Sequence, residues 1–282
     1  MKKIGIIGAG VMGCDIAIDL AINNYDEVFI IDTSNELLEK AKEKIIENFN
    51  FYCFLKPTLR SFKIAELTEK FVFSTDLEIL KDVDLVIENV TENETIKMQL
   101  FETLNQLCRK DTLYAVNTSC ISITKLSQQI SNPENMIGTH FMNPVPLKNI
   151  VEVIRGTHTS EQTIASLQNF LSTLNKSCVV VEDFPGFVSN RLSHLFMNEA
   201  IFLIQDGVAS AQDIDKLFRQ GFGHKMGPLE TADLIGLDTI MNSLGVLYEN
   251  YQDSKFRCAP LLRKMVNSGW LGKKTGKGFY EY

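Results

Sequence analysis

Two residues twelve positions apart have types that could carry acid–base chemistry. His140 lies near the end of the apolar segment MIGTHF, which is a predicted strand, and Glu152 lies inside the apolar run IVEVI. A glutamate in such a run needs a polar partner or a changed pKa. A carboxylate beside an imidazole orients the ring and favours its protonated form, which suits a histidine that accepts the proton of an alcohol while hydride leaves. The alternative is a histidine with a purely structural role, which is the commoner case for a histidine that stands alone.

A glycine-rich segment indicates a second site. Gly8, Gly10 and Gly13, with Val11 and Met12 between the last two, form G-x-G-x-x-G directly after a predicted strand and at the start of a predicted helix. The first glycine makes the tight turn, the second lets a pyrophosphate approach the backbone, and the third lets helix and strand pack closely. Phosphate oxygens would then face the N–H groups and the positive dipole end of the helix. The alternative is a glycine turn without a ligand.

Asp32 indicates which dinucleotide would bind. It ends the second predicted strand, 19 residues after Gly13, where a carboxylate can accept hydrogen bonds from both ribose hydroxyls and would repel a 2′-phosphate. The next residues, Thr33, Ser34 and Asn35, include no arginine to receive such a phosphate. The spacing therefore predicts NAD, whereas the alternative for Asp32 is an acid at a helix N-terminus.

The order of elements predicts the frame that holds these residues. Short apolar runs alternate with amphipathic segments up to about residue 183, which is typical of a Rossmann-type, doubly wound, mostly parallel sheet in an α/β protein. A helix is expected over 34–49, and four more over 187–206, 210–220, 229–250 and 258–268. The chain therefore divides into an NAD-binding domain over 1–184 and an all-helical substrate and dimerisation domain over 185–282.

Composition excludes several classes of protein. The 282 residues include 45% hydrophobic and 22% charged residues, so a folded core is expected. Lys and Arg number 28 against 35 Asp and Glu, a net charge of −7, which argues against a nucleic-acid-binding protein. We expect no membrane span, because no apolar run is long enough. The six cysteines stand singly, so we expect no zinc or other metal site, no disulfide framework and a cytoplasmic location.

Several long motifs in one order make the chain resemble the 3-hydroxyacyl-CoA dehydrogenase family, and especially its short bacterial 3-hydroxybutyryl-CoA members. The resemblance runs essentially end to end, and its segments are GIIGAGVMG, NTSCISIT, GTHFMNPVPLKNIVEVI, PGFVSNRL, MGPLETADLIGLD and GWLGKKTGKGFYEY. It implies hydride transfer between NAD and C3 of a 3-hydroxyacyl thioester. It also implies a homodimer formed mostly through the helical domain.

The resemblance also implies roles for single residues. His140 matches the catalytic base and Glu152 its carboxylate partner. Ser119 matches the serine that hydrogen-bonds the substrate oxygen, and Asn190 the asparagine that completes the pocket. The residues alone would indicate only a strand-end serine and a helix cap for the last two. Further matches to the lining of the cofactor site are Glu92, Lys97 and Asn117.

Three departures from the family pattern bear on function. Asp15 stands where glycine is usual, two residues after the fingerprint, and would repel pyrophosphate if it pointed inward. Cys120 replaces a common serine. Residues 50–57 are aromatic and end in proline, where the family commonly carries a lysine-rich helical hairpin that helps hold the CoA nucleotide.

The departure at 50–57 leaves the thioester carrier open between CoA and an acyl carrier protein. The alternative function is a dehydrogenase of a carrier-protein-bound hydroxyacyl group, of the glyceryl or hydroxymalonyl type used in extender-unit biosynthesis. On this basis we expect weak use of acetoacetyl-CoA and better use of a carrier-protein thioester. Such a carrier is usually acidic and would need a basic rim, for which Lys148, Arg155 and the Lys56–Lys63 stretch are candidates.

Other functions compete with this reading. The β-hydroxyacid dehydrogenases share G-x-G-x-M-G but use a lysine on a long helix, so the His140–Glu152 pair disfavours them. A gulonate-type dehydrogenase related to lens crystallin keeps the pair, and only substrate assays separate it. A non-catalytic NAD-binding or structural protein is disfavoured by the intact set of Ser119, His140, Glu152 and Asn190.

Overall fold

The first part of the chain is built on one eight-stranded sheet. The computed structural model describes residues 1–282. In the sheet the strands follow the order β3-β2-β1-β4-β5-β6-β7-β8, and every neighbouring pair is parallel except β6 and β7. Their bounds are β1 Ile4–Ile7, β2 Val28–Ile31, β3 Phe71–Ser74, β4 Leu85–Glu88, β5 Leu113–Asn117, β6 Met136–Phe141, β7 Ile150–Arg155 and β8 Ser177–Glu182. The predicted doubly wound, mostly parallel sheet is confirmed.

The central strands are continuous apolar runs because helices cover a parallel sheet on both faces. All residues of β1 and of β4 are buried. The chain moves from β1 to β2 and β3 on one side, and β4 then starts the other side of the sheet. The carboxyl ends of β1 and β4 therefore flank the point where the strand order reverses, which is where open α/β sheets bind ligands.

Six helices accompany this sheet. Their bounds are α1 Val11–Ile22, α2 Asn35–Leu55, α3 Ile64–Thr68, α4 Glu94–Leu107, α5 Ile123–Leu126 and α6 Glu161–Thr173. The second helix ends six residues later than expected over 34–49, so the predicted end at Phe49 is wrong. Its buried positions continue at a spacing of three or four residues through Phe49 to Tyr52, and the helix ends only before Pro57, which lacks the N–H that a helix interior needs.

The second part of the chain is helical, as predicted. Its helices are α7 Ser189–Gln205, α8 Ala211–Gly221, α9 Pro228–Ile235, α10 Leu237–Tyr251 and α11 Pro260–Asn267. The single helix expected over 229–250 is wrong, because the segment is broken at Gly236. This glycine has a φ of 106°, a conformation that side chains with a Cβ rarely adopt.

The chain forms two compact units, Met1–Asp183 and Phe184–Tyr282. The predicted boundary between residues 184 and 185 lies one residue from this division. Each unit has its own apolar core.

None of the helices combines the length and the apolar character that crossing a membrane would require.

Candidate active site

The glycine fingerprint forms a tight turn between β1 and α1. Gly8 has a φ of 91°, and a Cβ there would lie 2.6 Å from the carbonyl oxygen of Asn89, the residue after β4. A Cβ at Gly13 would lie 2.0 Å from the carbonyl oxygen of Gly8. Both positions therefore require glycine for the close approach of backbone segments, as the motif predicts.

Gly10 has a different reason to be glycine. It is exposed, its φ of −73° is open to any residue, and a Cβ there would meet no atom within 4 Å. The structure thus leaves room over Gly10 that a side chain would fill and a pyrophosphate could occupy. Gly10 is also the N-cap of α1 and offers no side-chain cap, so the first N–H groups of this helix are available to phosphate oxygens. These features fit a dinucleotide.

Asp32 follows β2 and faces the glycine turn. Its Oδ2 accepts a hydrogen bond from Ala9 N at 2.8 Å, and its Oδ1 accepts one from Thr33 N at 2.7 Å. The helix that follows is capped instead by Ser34, whose hydroxyl accepts from Leu37 N. Ser34, and not Asp32, therefore caps this helix. The Asp32 carboxylate is fixed beside the fingerprint. Its predicted hydrogen bonds to the ribose hydroxyls of the cofactor would form there.

His140 and Glu152 form a close pair across two antiparallel strands. They are directly opposite each other in the β6–β7 register, so both side chains leave the same face of the sheet. His140 Nδ1 lies 3.0 Å from Glu152 Oε2, and the two side chains are 13% and 7% exposed. A carboxylate at this distance orients the imidazole, with Nε2 on the side of Ser119.

Ser119 lies on the other side of the imidazole. Its Oγ is 3.5 Å from His140 Nε2. The loop after β5 that carries Ser119 is fixed by Glu92, whose Oε1 accepts hydrogen bonds from Ser119 N at 2.8 Å, Cys120 N at 3.2 Å and Thr118 Oγ1 at 2.6 Å. Glu92 thus places the serine, and contact between Glu92 and a cofactor stays a prediction.

Lys97 is fully buried against Glu88, the last residue of β4. Its Nζ lies 2.7 Å from both Glu88 carboxylate oxygens and donates to the carbonyl oxygens of Val90 and Asn117 at 3.3 and 3.1 Å. It therefore ties the ends of β4 and β5 together. Burial raises the pKa of Glu88 to about 7, although Lys97 opposes that shift. The predicted contact of Lys97 with a cofactor stays a prediction.

Asn117 and Asn190 lie in different units. The Asn117 amide joins three strand ends, because its Nδ2 donates to Asn89 Oδ1 at 2.8 Å and its Oδ1 accepts from Phe141 N at 3.4 Å. Asn190 is the second residue of α7 in the helical unit and is half-buried. The predicted role of each toward cofactor or substrate stays a prediction.

Asp15 points into the protein rather than toward the fingerprint. It is fully buried, and its Oδ1 accepts hydrogen bonds from Tyr52 Oη at 2.7 Å and Asn48 Nδ2 at 2.9 Å. Two departures from the family pattern, Asp15 and the aromatic segment at 50–57, are therefore partners in one contact. The expected repulsion of pyrophosphate would require the carboxylate to point toward the glycine turn, whereas it points toward α2.

Sequence reasoning missed Glu88 and the partner of Asp15. Glu88 ends the apolar run DLVIE, which is the same signal that singled out Glu152, and it could have been found in that way. Tyr52 carried no such signal, because only the fold brings it to a carboxylate 37 residues earlier in the chain.

Comparison with known proteins defines the class. Residues 3–184 match the model of the 3-hydroxyacyl-CoA dehydrogenase NAD-binding domain, and residues 186–282 match that of the C-terminal domain of the same family. The chain belongs to the 3-hydroxyacyl-CoA dehydrogenase family.

Individual relatives are similar to this chain over more than nine-tenths of their own length. The chain is 42% identical over 282 residues to a 3-hydroxybutyryl-CoA dehydrogenase of Bradyrhizobium diazoefficiens, with all of this chain and 96% of the relative covered. It is 36% identical to the mitochondrial hydroxyacyl-coenzyme A dehydrogenase of Sus scrofa, covering 100% of this chain and 91% of that one. Among solved structures, the (S)-3-hydroxybutyryl-CoA dehydrogenase of Ralstonia eutropha superposes with a TM-score of 0.93 at 36% identity, covering 100% and 99% of the two chains.

Proposed function

We propose that this chain catalyses NAD-dependent oxidation of the C3 hydroxyl of a short (S)-3-hydroxyacyl-CoA, and the reverse reduction. The observation that carries the proposal is the 3.0 Å contact between His140 Nδ1 and Glu152 Oε2, with Ser119 beside Nε2. Membership of the 3-hydroxyacyl-CoA dehydrogenase family supports the reaction class, and the names of the relatives support the acyl-CoA substrate.

In this proposal each residue of the pair has one task. His140 Nε2 accepts the hydroxyl proton as the carbonyl forms, and Glu152 stabilises the imidazolium that results. Ser119 Oγ donates a hydrogen bond to the substrate oxygen, and Asn190 keeps its predicted role toward the substrate. NAD, when bound, supplies the acceptor for the hydride. Burial limits the access of water to the pair, since the Glu152 side chain is only 7% exposed.

The fingerprint and the strand ends hold the cofactor in the same proposal. Gly8, Gly10 and Gly13 shape the turn, and the N-terminus of α1, with Val11 and Met12, receives the pyrophosphate. Asp32 accepts from the adenosine ribose hydroxyls. The remaining proposed contacts line the cofactor beyond the glycine loop and comprise Glu92, Lys97 and Asn117.

CoA is favoured over an acyl carrier protein as the thioester carrier. The relatives are named for CoA substrates. These names do not support the expected preference for a carrier protein. The basic rim that a carrier protein would need is also partly engaged. Lys63 pairs with Glu66 at 2.9 Å, and Arg155 pairs with Glu161 at 2.8 Å.

We further propose a homodimer formed through the helical unit. Several large apolar side chains of this unit are more than half exposed in the single chain, as expected for a surface that a second copy covers. They are Leu192, Val208, Leu217, Phe222 and Leu234. Light scattering at micromolar concentration tests the dimer, and a monomer would contradict it.

The cytoplasmic location is kept as part of the proposal, on the composition alone.

A substrate comparison tests the proposed reaction. NADH oxidation is followed at its absorbance band with acetoacetyl-CoA, with the same acyl group on an acyl carrier protein, and with acetoacetate as a control that lacks the thioester. We expect the highest kcat/KM with CoA and NADH, and little turnover with NADPH or free acetoacetate. Efficient use of the carrier-protein thioester alone would replace CoA by the alternative carrier. Turnover of L-gulonate with no activity on thioesters would contradict the proposal.

A further inference from the structure

One buried carboxylate joins its own helix to two other elements of the first unit. Asp15 belongs to α1, the helix that begins at the glycine fingerprint, and it is fully buried. Its Oδ1 accepts hydrogen bonds from Tyr52 and Asn48 of α2, and its Oδ2 accepts one from the backbone N of Val145 at 3.2 Å. Val145 lies in the short helical turn Val145–Leu147, which is part of the connection between β6 and β7.

A second buried charge holds the same connection. Lys176 Nζ donates to the carbonyl oxygens of Val145 and Lys148, both at 2.7 Å, and lies 3.1 Å from Asp19 Oδ2. Asp19 is one turn after Asp15 on α1, and both side chains of the ion pair are less than 5% exposed. The N–H of Val145 is therefore bound by Asp15, a buried residue of α1. The carbonyl of Val145 is bound by Lys176, whose ion-pair partner Asp19 also belongs to α1.

This connection carries the catalytic pair at its two ends. His140 precedes it in β6 and Glu152 follows it in β7, and only eight residues, 142–149, separate the strands. A shift of the connection relative to α1 would move the two strand ends and lengthen the contact between His140 Nδ1 and Glu152 Oε2. Hydrogen bonds weaken steeply with distance and angle, so a small displacement matters.

We propose that Asp15 is a positioning residue that acts through Val145 to hold the His140–Glu152 hairpin in place against α1. This inference rests on the proposed function for the meaning of the pair. It links the helix that would receive the pyrophosphate to the hairpin that would remove the proton, through a single carboxylate. A residue that served only to pack α1 against α2 would need its contacts to Tyr52 and Asn48 alone.

Burial makes the contact to Val145 sensitive to substitution. The carboxylate of Asp15 is desolvated, which raises its pKa, and hydrogen bonds from Tyr52, Val145 and Asn48 oppose that effect. Removal of the carboxylate would leave the buried N–H of Val145 without its acceptor, and such a group is costly to bury. The connection would then relax toward another partner.

Two variants break the link to Val145 from opposite sides. Asp15→Ala removes the acceptor. Val145→Pro removes the donor and leaves Asp15 bound to α2, and proline suits the first position of a helical turn because no intrahelical N–H is needed there. The matched control is the double variant Tyr52→Phe/Asn48→Ala, which breaks the contacts of Asp15 to α2 and keeps its acceptor for Val145. Asp15→Asn keeps a carbonyl acceptor and serves as the conservative variant.

The readouts separate positioning from folding. In Asp15→Ala and Val145→Pro we expect kcat with acetoacetyl-CoA to fall about 10- to 100-fold, with KM for NADH within about threefold of wild type. We expect the control and Asp15→Asn to keep kcat within about threefold, whatever their Tm. The ¹⁵N chemical shifts of the His140 ring at one fixed pH, assigned with His140→Asn, should differ from wild type in the first two variants and not in the control.

Failure of this inference can be told apart from failure of the proposed function. An inactive wild type would overturn the proposed function, and the ¹⁵N chemical shifts of the His140 ring would still test the positioning. If Asp15→Ala does not fold, Val145→Pro carries the test. Wild-type kcat and wild-type His140 ¹⁵N chemical shifts in Val145→Pro, or an equal loss of kcat in the Tyr52→Phe/Asn48→Ala control, would overturn the inference.

Discussion

Buried acids have different partners in the two units. In the sheet unit most of them face a cation or an imidazole, as in Glu88 with Lys97 and Glu152 with His140. Asp15 is the exception, because it accepts only from neutral donors. In the helical unit, Asp233 is buried and accepts from Phe279 N, Tyr280 N and Tyr282 Oη at 3.0, 2.9 and 3.2 Å. Asp215 there is also buried and accepts from Leu229 N, Glu230 N and Tyr280 Oη at 2.9, 2.8 and 2.7 Å.

The difference indicates two uses of a buried carboxylate. An acid that accepts only from backbone N–H and tyrosine hydroxyl groups fixes a chain segment, here the last residues of the chain. An acid that faces an imidazole changes the free energy of the protonated ring and therefore serves chemistry. Substitutions in the two units should then separate activity from stability.

The largest effect should follow loss of the imidazole. His140→Ala should lower kcat by roughly 10²–10⁴, the usual contribution of a positioned acid–base group, with little change in Tm. The control is His158→Ala, an exposed histidine of the same unit. Steady-state kinetics with NADH and acetoacetyl-CoA check this, and near-normal turnover in His140→Ala would remove the residue from the mechanism.

The acids of the helical unit should affect stability instead. Asp233→Ala leaves two backbone N–H groups and a tyrosine hydroxyl without their acceptor, so the free energy of unfolding should fall by about 2–4 kcal/mol. The kcat of the folded protein should stay within about threefold of wild type. Denaturant unfolding and kinetics at low temperature test both parts, with the exposed Asp253→Ala as control. A large fall in the kcat of Asp233→Ala at unchanged stability would show that the buried acids of the two units do not differ in function.

The cofactor acid should give a smaller effect. Asp32→Ala removes a predicted ribose acceptor and a charge that repels a 2′-phosphate, so NADH should bind roughly tenfold more weakly while the gap to NADPH narrows. The substitution also removes the acceptor of Ala9 N. Fluorescence titration with both nucleotides checks this prediction. A wild type that binds NADPH as well as NADH would show that Asp32 does not select the cofactor.

The smallest effect concerns pH and Glu88. Its pKa is raised to about 7 in the fold, above that of an unfolded glutamate, so its protonated form stabilises the protein at low pH. That contribution is lost as pH rises toward and through 7. The difference in unfolding free energy between wild type and Glu88→Gln should therefore shrink between pH 5 and pH 8, by on the order of 1 kcal/mol. A difference that grows with pH would mean that the ion pair with Lys97 outweighs desolvation.

Local patterns in the sequence predicted most of the sheet unit. All eight strands coincide with apolar runs, because a parallel sheet that is covered on both faces needs continuous apolar segments. The helix break at Gly236 and the extension of α2 to Leu55 were missed, since periodicity alone locates helix ends poorly.

The site was predicted only as far as its residues carry a local signal. The pairing of His140 with Glu152 could be predicted because both residues are conspicuous in the sequence. His140 lies near the end of a predicted strand, and Glu152 is a charged residue inside an apolar run. The contacts of Glu92 with the Ser119 loop and of Asp15 with Tyr52 could not be, because they join segments 26 or more residues apart. Their geometry depends on how strands and helices pack, and the sequence pattern does not contain that information.

Steady-state kinetics of Glu152→Gln test the central claim, that a carboxylate-supported histidine removes the hydroxyl proton. Removal of the Glu152 charge destabilises the imidazolium that forms when His140 accepts the proton, so kcat in the oxidation direction should fall about 10- to 100-fold, while KM for NAD should stay within about threefold of wild type. An unchanged kcat in Glu152→Gln would contradict the role of the His140–Glu152 pair.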